Sequence, residues 1–172
     1  MKKVVFLDRD GVINKLSNIK NNSQSPKSLK ELQLNKYIVS IVKYLRSKNY
    51  LVIMVTNQPD VSRKILTKAS VEKINLYIMD KIKLDDFFVC YSQNNKCFRR
   101  KPNPGMLIDA KKKWNISFKK SYLVGDRDKD IEAGNKAGVK TIFFFNKKNQ
   151  EKNKIKSNFK IKSLKEIYQI IK

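Results

Sequence analysis

Val4, Val5, Phe6 and Leu7 run straight into Asp8-Arg9-Asp10-Gly11, and this juncture constrains the fold more than any other stretch of the chain. An apolar run of this length, with β-branched and aromatic side chains and bounded by charge and then glycine, reads as a buried strand. Where such a strand ends, its last side chains have no sheet to pack against. They can converge on a site at the carboxyl edge, the usual ligand position of open α/β sheets. Two carboxylates two positions apart would repel there unless a cation or a proton lies between them. A metal-dependent phosphoryl-transfer site accounts for the pair economically; a solvated surface turn is the plain alternative.

The same pattern recurs. LVIMV (51–55), FFVCY (87–91), SYLVGD (121–126) and TIFFF (141–145) are further short apolar runs. Between them lie segments of helical period. Residues 36–48 carry Ile38, Ile41, Val42 and Leu45, and residues 68–83 carry Val71, Ile74, Ile78 and Ile82. A third helix opens near Pro104, and a fourth covers 128–137 with Gly138 just past its end. Strands alternating with helices predict an α/β, doubly wound, largely parallel Rossmann-like sheet with helices on both faces and no large cap domain. Residues 15–35 are polar and read as a loop arching near the first strand end, and 146–158 as a flexible connection. Ser163 with Glu166 has the form of a capping box ahead of a terminal helix bearing Leu164, Ile167, Ile170 and Ile171. The 172 residues fit one domain, with a core at about 3–145 and a tail and helix at 146–172.

Composition narrows the chemistry. The chain has no histidine, which excludes Ser-His-Asp and Cys-His catalysis and every His-ligated metal, and leaves carboxylates and lysines as reactive groups. Two cysteines, Cys90 and Cys97, are too few for a disulfide framework. No run approaches the ~18 apolar residues of a membrane span, and the N-terminus lacks the pattern of a signal peptide, so a cytoplasmic protein is expected. The formal net charge is +24. Nucleic-acid binding would explain it. Yet the cations are overwhelmingly lysine, accompany abundant Asn and Ile, and are scattered rather than gathered into an arginine-bearing stripe, which favours compositional drift over specific nucleic-acid recognition. Such a charge still draws anionic substrates.

Polar residues follow four of the apolar runs: Asp8 and Asp10, then Thr56 and Asn57, then Arg100 and Lys101, then Asp126 with Asp130. In this order, each at a strand end or the loop beyond it, they would meet at one edge of the sheet. The motifs FLDRDGVIN, VTNQ, RKPNPGM and VGDRDKD resemble those of the haloacid dehalogenase superfamily of phosphohydrolases over residues 3 to about 145. Within it the chain is similar to the small-cap branch that includes heptose 1,7-bisphosphate 7-phosphatases and histidinol phosphatases.

The resemblance implies a phosphomonoesterase with Asp8 as nucleophile, forming an aspartyl-phosphate, and Asp10 as general acid/base. It implies Mg²⁺ on Asp8, the Asp10 backbone carbonyl and Asp126, phosphoryl stabilisation by Thr56 and Lys101, and substrate contacts from Thr56, Asn57, Gln58, Arg100 and Lys101. Asp130 and Arg127 are expected around this set, Asp130 orienting Lys101 or a metal-bound water. The expected substrate is a small phosphorylated sugar, most closely heptose 1,7-bisphosphate, handled by a monomer without membrane or specific nucleic-acid partner. Histidinol phosphate, a polynucleotide 3′-phosphate and a noncatalytic nucleic-acid-binding domain are the alternatives. Relatives often carry a zinc loop before RKPxPGM. Here Cys90 and Cys97 persist, but Ser92 stands where His would be and Arg99 where the last Cys would be. Two thiolates cannot complete a tetrahedral site, so no zinc is expected.

Overall fold

The computed structural model describes residues 1–19, 22–145 and 154–172. Six strands form one parallel sheet: β1 (Lys3–Leu7), β4 (Tyr50–Asn57), β5 (Asp86–Cys90), β6 (Tyr122–Gly125), β7 (Lys140–Phe144) and β8 (Phe159–Ile161). Their order across the sheet is β5-β4-β1-β6-β7-β8. The chain builds outward from β1 through β4 to β5, then crosses back to β6 on the other side of β1. The direction of winding therefore reverses at the carboxyl end of β1, which is where the paired aspartates sit.

Period-two alternation along the buried strands divides the interior into two layers. Val5 and Leu7 of β1 pack with Val52, Met54, Val124 and Ile142 against α1 (Ile38–Ser47), α2 (Lys68–Ile82) and the terminal α5 (Ile167–Ile170). Val4 and Phe6 pack with Ile53, Val55 and Leu123 against α3 (Gly105–Trp114). The remaining helix, α4 (Asp128–Ala137), brings Ala137 to that same layer. Helix boundaries follow local chemistry. Thr67 caps α2 by accepting from the Ser70 N–H at 3.1 Å. Gly138, at φ 77°, closes α4 in the left-handed conformation that glycine adopts without penalty.

Three features depart from the expected elements. The polar stretch 15–35 contains a two-stranded antiparallel hairpin, β2 (Ser17–Ile19) and β3 (Asn22–Gln24), where a loop was expected. Strand β4 extends two residues past the apolar run, so Thr56 and Asn57 pair with Val89 and Cys90 of β5 inside the sheet. The expected tail contains β8, three residues that pair in parallel with the edge of β7. Only Ile161 of β8 is buried, and its lysine-rich setting obscured a strand of this length. Residues 146–153 of the expected flexible connection lie outside the described residues. The remainder, 154–158, is anchored: the Lys154 and Ile155 N–H groups donate to the Asp128 carboxylate, and Asn158 exchanges hydrogen bonds with Thr141. The capping box at Ser163 and Glu166 forms as expected, over a 3₁₀ turn that leads into α5.

Candidate active site

Asp8 follows β1 directly, and its N–H still donates to the Val124 carbonyl of β6 at 3.0 Å. The chain then folds into a tight turn in which the N–H groups of Ile13 and Asn14 both return to the Arg9 carbonyl. Gly11 is required within it. Its φ is +103°, and a Cβ there would lie 1.9 Å from Asp126 Oδ2. The close approach of the β1 turn to Asp126, at the end of β6, thus depends on a missing side chain.

Lys101 joins the two halves of the site. Its ammonium donates to Asp8 Oδ1 at 2.7 Å and to the Val55 carbonyl at 3.0 Å, and lies 2.7 Å from Asp130 Oδ1. Three acceptors thus face its three N–H donors. Burial alone would depress the Lys101 pKa, but Asp130 and Asp8 outweigh it and keep the amine protonated. The backbone of Lys101 is clamped by Asn57, whose amide nitrogen donates to the Lys101 carbonyl at 3.0 Å while its oxygen accepts the Lys101 N–H at 3.1 Å. Asp130 accepts the Arg127 N–H at 3.1 Å, closing the N-terminus of α4. Gly125 admits it there, since a Cβ at that position would come within 2.1 Å of Asp130 Cβ.

Carboxylate oxygens of Asp8, Asp126 and Asp130, all buried, lie within 4.8 Å of one another. Burial, more than the neighbouring charges, pushes the Asp8 pKa up to about 6 despite its contact with Lys101. Three converging carboxylates against one ammonium form an oxygen-donor set that suits a hard divalent cation, which would further favour the anionic form of Asp8.

Asp10 is handled differently. Arg9, wholly buried, forks onto it through Nε at 3.1 Å and Nη2 at 3.0 Å. Asn14, Ser25 and Gln58 also donate to its carboxylate, at 3.1, 2.9 and 2.7 Å. Burial would raise the Asp10 pKa, but the Arg9 guanidinium and these donors overcome it and hold the group below the usual carboxylate range. The two aspartates of one motif are therefore set to opposite tendencies by their surroundings in the free protein, burial raising Asp8 and Arg9 lowering Asp10.

All the expected residues except Arg100 gather at or beside this edge. Thr56, Asn57, Lys101 and Arg127 line a pocket of about 50 Å³ with Asp8, Asp10, Ser25 and Lys129. Gln58 is 1% exposed and spans Asp10 and Thr56. Arg100 turns away: its guanidinium donates to the Ser92 carbonyl at 2.8 Å and to Asn95 Oδ1 at 3.1 Å, bracing the 92–97 loop. Cys90, the last residue of β5, faces Cys97 of that loop with sulfurs 3.9 Å apart.

Sequence reasoning missed Arg9, Asn75, Ser25 and Lys129. Asn75 lies on α2, fully buried, and accepts from Arg9 Nη1 at 2.9 Å. Its signal was legible: a polar residue next to Ile74 on the apolar stripe of a helix needs a buried partner.

An open parallel sheet whose switch point carries paired aspartates, a bridging lysine and a third aspartate defines a hydrolase of the haloacid dehalogenase type. A family model described as HAD-hydrolase-like matches residues 98–167. The chain is 32% identical over 154 residues to a D-glycero-alpha-D-manno-heptose-1,7-bisphosphate 7-phosphatase of Photorhabdus laumondii, covering 82% of this chain and 81% of that one. It is 30% identical over 145 residues to a D-glycero-beta-D-manno-heptose-1,7-bisphosphate 7-phosphatase of Helicobacter pylori, covering 80% of each. The crystal structure of D,D-heptose 1,7-bisphosphate phosphatase from B. bronchiseptica, complexed with magnesium and phosphate, superposes with a TM-score of 0.74 at 25% identity, over 83% of this chain and 80% of that one. The chain belongs to the haloacid dehalogenase-like hydrolase family and is an enzyme of its phosphatase class. No helix among the described residues is long and apolar enough to cross a membrane.

Proposed function

We propose that the chain hydrolyses a phosphate monoester of a small phosphorylated sugar, heptose 1,7-bisphosphate at its 7-phosphate, through an aspartyl-phosphate on Asp8. The observation that carries this reading is the Lys101 ammonium bridging Asp8 and Asp130 beside an Asp10 held by Arg9. An Asp8 oxygen attacks phosphorus, and the bond to the sugar oxygen breaks. Lys101 holds Asp8 in place and faces the charge that develops on the transferring group. Thr56 lines the same pocket and offers a hydroxyl to that group.

Asp10 is anionic in the free enzyme. The approaching phosphate dianion raises its affinity for a proton, so Asp10 takes one from solvent as the substrate binds and gives it to the leaving oxygen. It takes a proton back from the water that cleaves the aspartyl-phosphate, regenerating Asp8. A Mg²⁺ ion held by Asp8, Asp126 and the Asp10 carbonyl would supply neutralising charge between nucleophile and dianion. Asp130 serves by fixing Lys101, and Gln58 by fixing Asp10. The reading includes a cytoplasmic monomer that needs neither zinc nor a nucleic-acid or membrane partner.

The test is phosphate release from heptose 1,7-bisphosphate, histidinol phosphate and a 3′-phosphorylated oligonucleotide, with Mg²⁺ and with a chelator. The expected outcome is preference for the heptose, loss of turnover on chelation, and no turnover by Asp8→Asn with its far-UV circular dichroism unchanged. Substantial residual activity in that variant removes Asp8 from the nucleophile's role, and preference for the oligonucleotide overturns the sugar.

A further inference from the structure

Cys90 and Cys97 are the two cysteines of the chain, and both are free thiols. Seven positions apart in sequence, their sulfurs lie 3.9 Å from each other. Apolar packing brings small side chains together, and Cys97 does pack on the buried layer that contains Cys90. The two positions nonetheless differ in chemistry. Cys90 ends β5 and is 3% exposed. Cys97 is half-buried, with Lys96, Phe98 and Arg99 exposed around it. A hydrogen bond from the Arg99 backbone draws the Cys97 thiol below its ordinary pKa, whereas burial pushes the Cys90 thiol up. An accessible thiol with thiolate character beside a shielded one is the arrangement in which the first is oxidised and the second resolves it.

Both cysteines are joined to Lys101. Cys90 pairs with Asn57 across the β4–β5 ladder, and its carbonyl accepts the Gln58 N–H at 2.7 Å. Asn57 in turn holds both backbone polar groups of Lys101. On the other side, the Cys97 carbonyl accepts the Arg100 N–H at 3.0 Å and the Asn103 amide at 3.0 Å, so the turn that begins at Cys97 delivers Lys101. A bond between the sulfurs requires them to close to about 2 Å. Cys90 is fixed by its ladder, so the movement falls on Cys97 and its turn.

We propose that Cys90 and Cys97 are a redox modification site, a dithiol that a peroxide converts to a disulfide and a small thiol reductant restores, and that the closed form slows hydrolysis by displacing Lys101 from Asp8. The Cys97 thiolate attacks one peroxide oxygen: the S–O bond forms, the O–O bond breaks, and hydroxide leaves. The Cys90 thiol gives its proton to that hydroxide. Its sulfur then displaces hydroxide from the Cys97 sulfenic acid, forming the S–S bond, and the proton first released by Cys97 neutralises the second hydroxide. Two thiols and one peroxide thus give one disulfide and two waters; the sulfurs lose two electrons and the peroxide gains them. Bond formation is independent of the reaction proposed above, and its effect on turnover rests on the role of Lys101 there.

The experiment treats the reduced full chain with hydrogen peroxide, in the parent and in Cys97→Ser. It then measures free thiols, intact mass and kcat for p-nitrophenyl phosphate with Mg²⁺. In the parent, both titratable thiols should disappear and the mass should fall by two hydrogens, with the chain still single on a non-reducing gel. Its kcat should drop about tenfold, as a sub-ångström shift of a positioned group would cause, and recover in dithiothreitol. Peroxide should leave kcat of Cys97→Ser unchanged, which separates the disulfide from methionine oxidation. Thiols that persist in the parent, or a disulfide between chains, overturn the proposal. So does a disulfide formed with kcat unchanged, or an equal loss in Cys97→Ser. A parent without turnover before oxidation instead removes the phosphatase reading, while thiol count and mass still decide the bond.

Discussion

Arg9→Met would leave the Asp10 carboxylate buried without its guanidinium partner while roughly conserving side-chain length. Two of the three Arg9 contacts end on Asp10 and the third on Asn75, and Arg9 itself is 0% exposed. Breaking a buried ion pair by removing one partner typically costs about 3–5 kcal/mol, because the surviving charge is uncompensated. Asp10 would keep neutral donors from Asn14, Ser25 and Gln58, which places the expected loss at the low end, about 3 kcal/mol. The assay is urea unfolding in metal-free buffer, followed by circular dichroism and by the fluorescence of Trp114, the single tryptophan.

The pH dependence supplies the sign. In the parent, the depressed Asp10 pKa contributes stability that is present above the ordinary carboxylate value of 3.8 and is lost as pH falls through the lower folded value. In Arg9→Met, burial dominates and the folded pKa rises, so this group's contribution improves as pH falls through it. The stability gap between parent and variant therefore narrows on going from pH 7 toward pH 4. Asp10→Asn in the Arg9→Met background should recover about 2 kcal/mol relative to the sum of the single losses. A loss under about 1 kcal/mol, far below the usual cost of orphaning a buried charge, or a gap independent of pH, would refute the view that Arg9 holds Asp10 as an anion.

Two further outcomes are expected. Gly11→Ala, which forces a Cβ toward Asp126 Oδ2 at a φ of +103°, should cost about 1–3 kcal/mol in backbone strain and weaken Mg²⁺ dependence about tenfold or more; a Mg²⁺ titration of phosphate release identical to the parent would separate Asp126 from the metal. Elemental analysis of the purified protein should find well under one zinc per chain, since Cys90 and Cys97 bring two thiolates and no His or further Cys to the loop. Stoichiometric zinc removed by Cys90→Ser would contradict this.

The legible parts of the fold were those where one segment carries its own reason to be buried. β1, β4, β5, β6 and β7 each contain an apolar run that reads as a strand, and the order of the polar residues after these runs located Asp8, Lys101 and Asp126 at one edge before any geometry was known. β8 and the β2–β3 hairpin were hidden for the opposite reason. Their stability comes from partners, the edge of β7 for one and the antiparallel mate for the other, and each of these strands is only three residues long, too short for its local pattern to mark a strand. The site divides in the same way. Residue types that touch a phosphate are few and cluster in motifs, so they could be read. Residues that fix those groups are recognised only by what they face: Asn75 reaches the site from mid-helix, 66 positions from Arg9, and Gln58, expected on the substrate, is turned onto Asp10. Arg100 carries the converse lesson, because a guanidinium within a phosphate-binding motif is free to satisfy backbone carbonyls nearby. The scattered lysines gain meaning only once the fold is known. Sequence counting sees a uniform excess, whereas folding brings Lys27, Arg63 and Lys129 from three segments to one cleft beside the nucleophile, where charge that is diffuse along the chain becomes a local field.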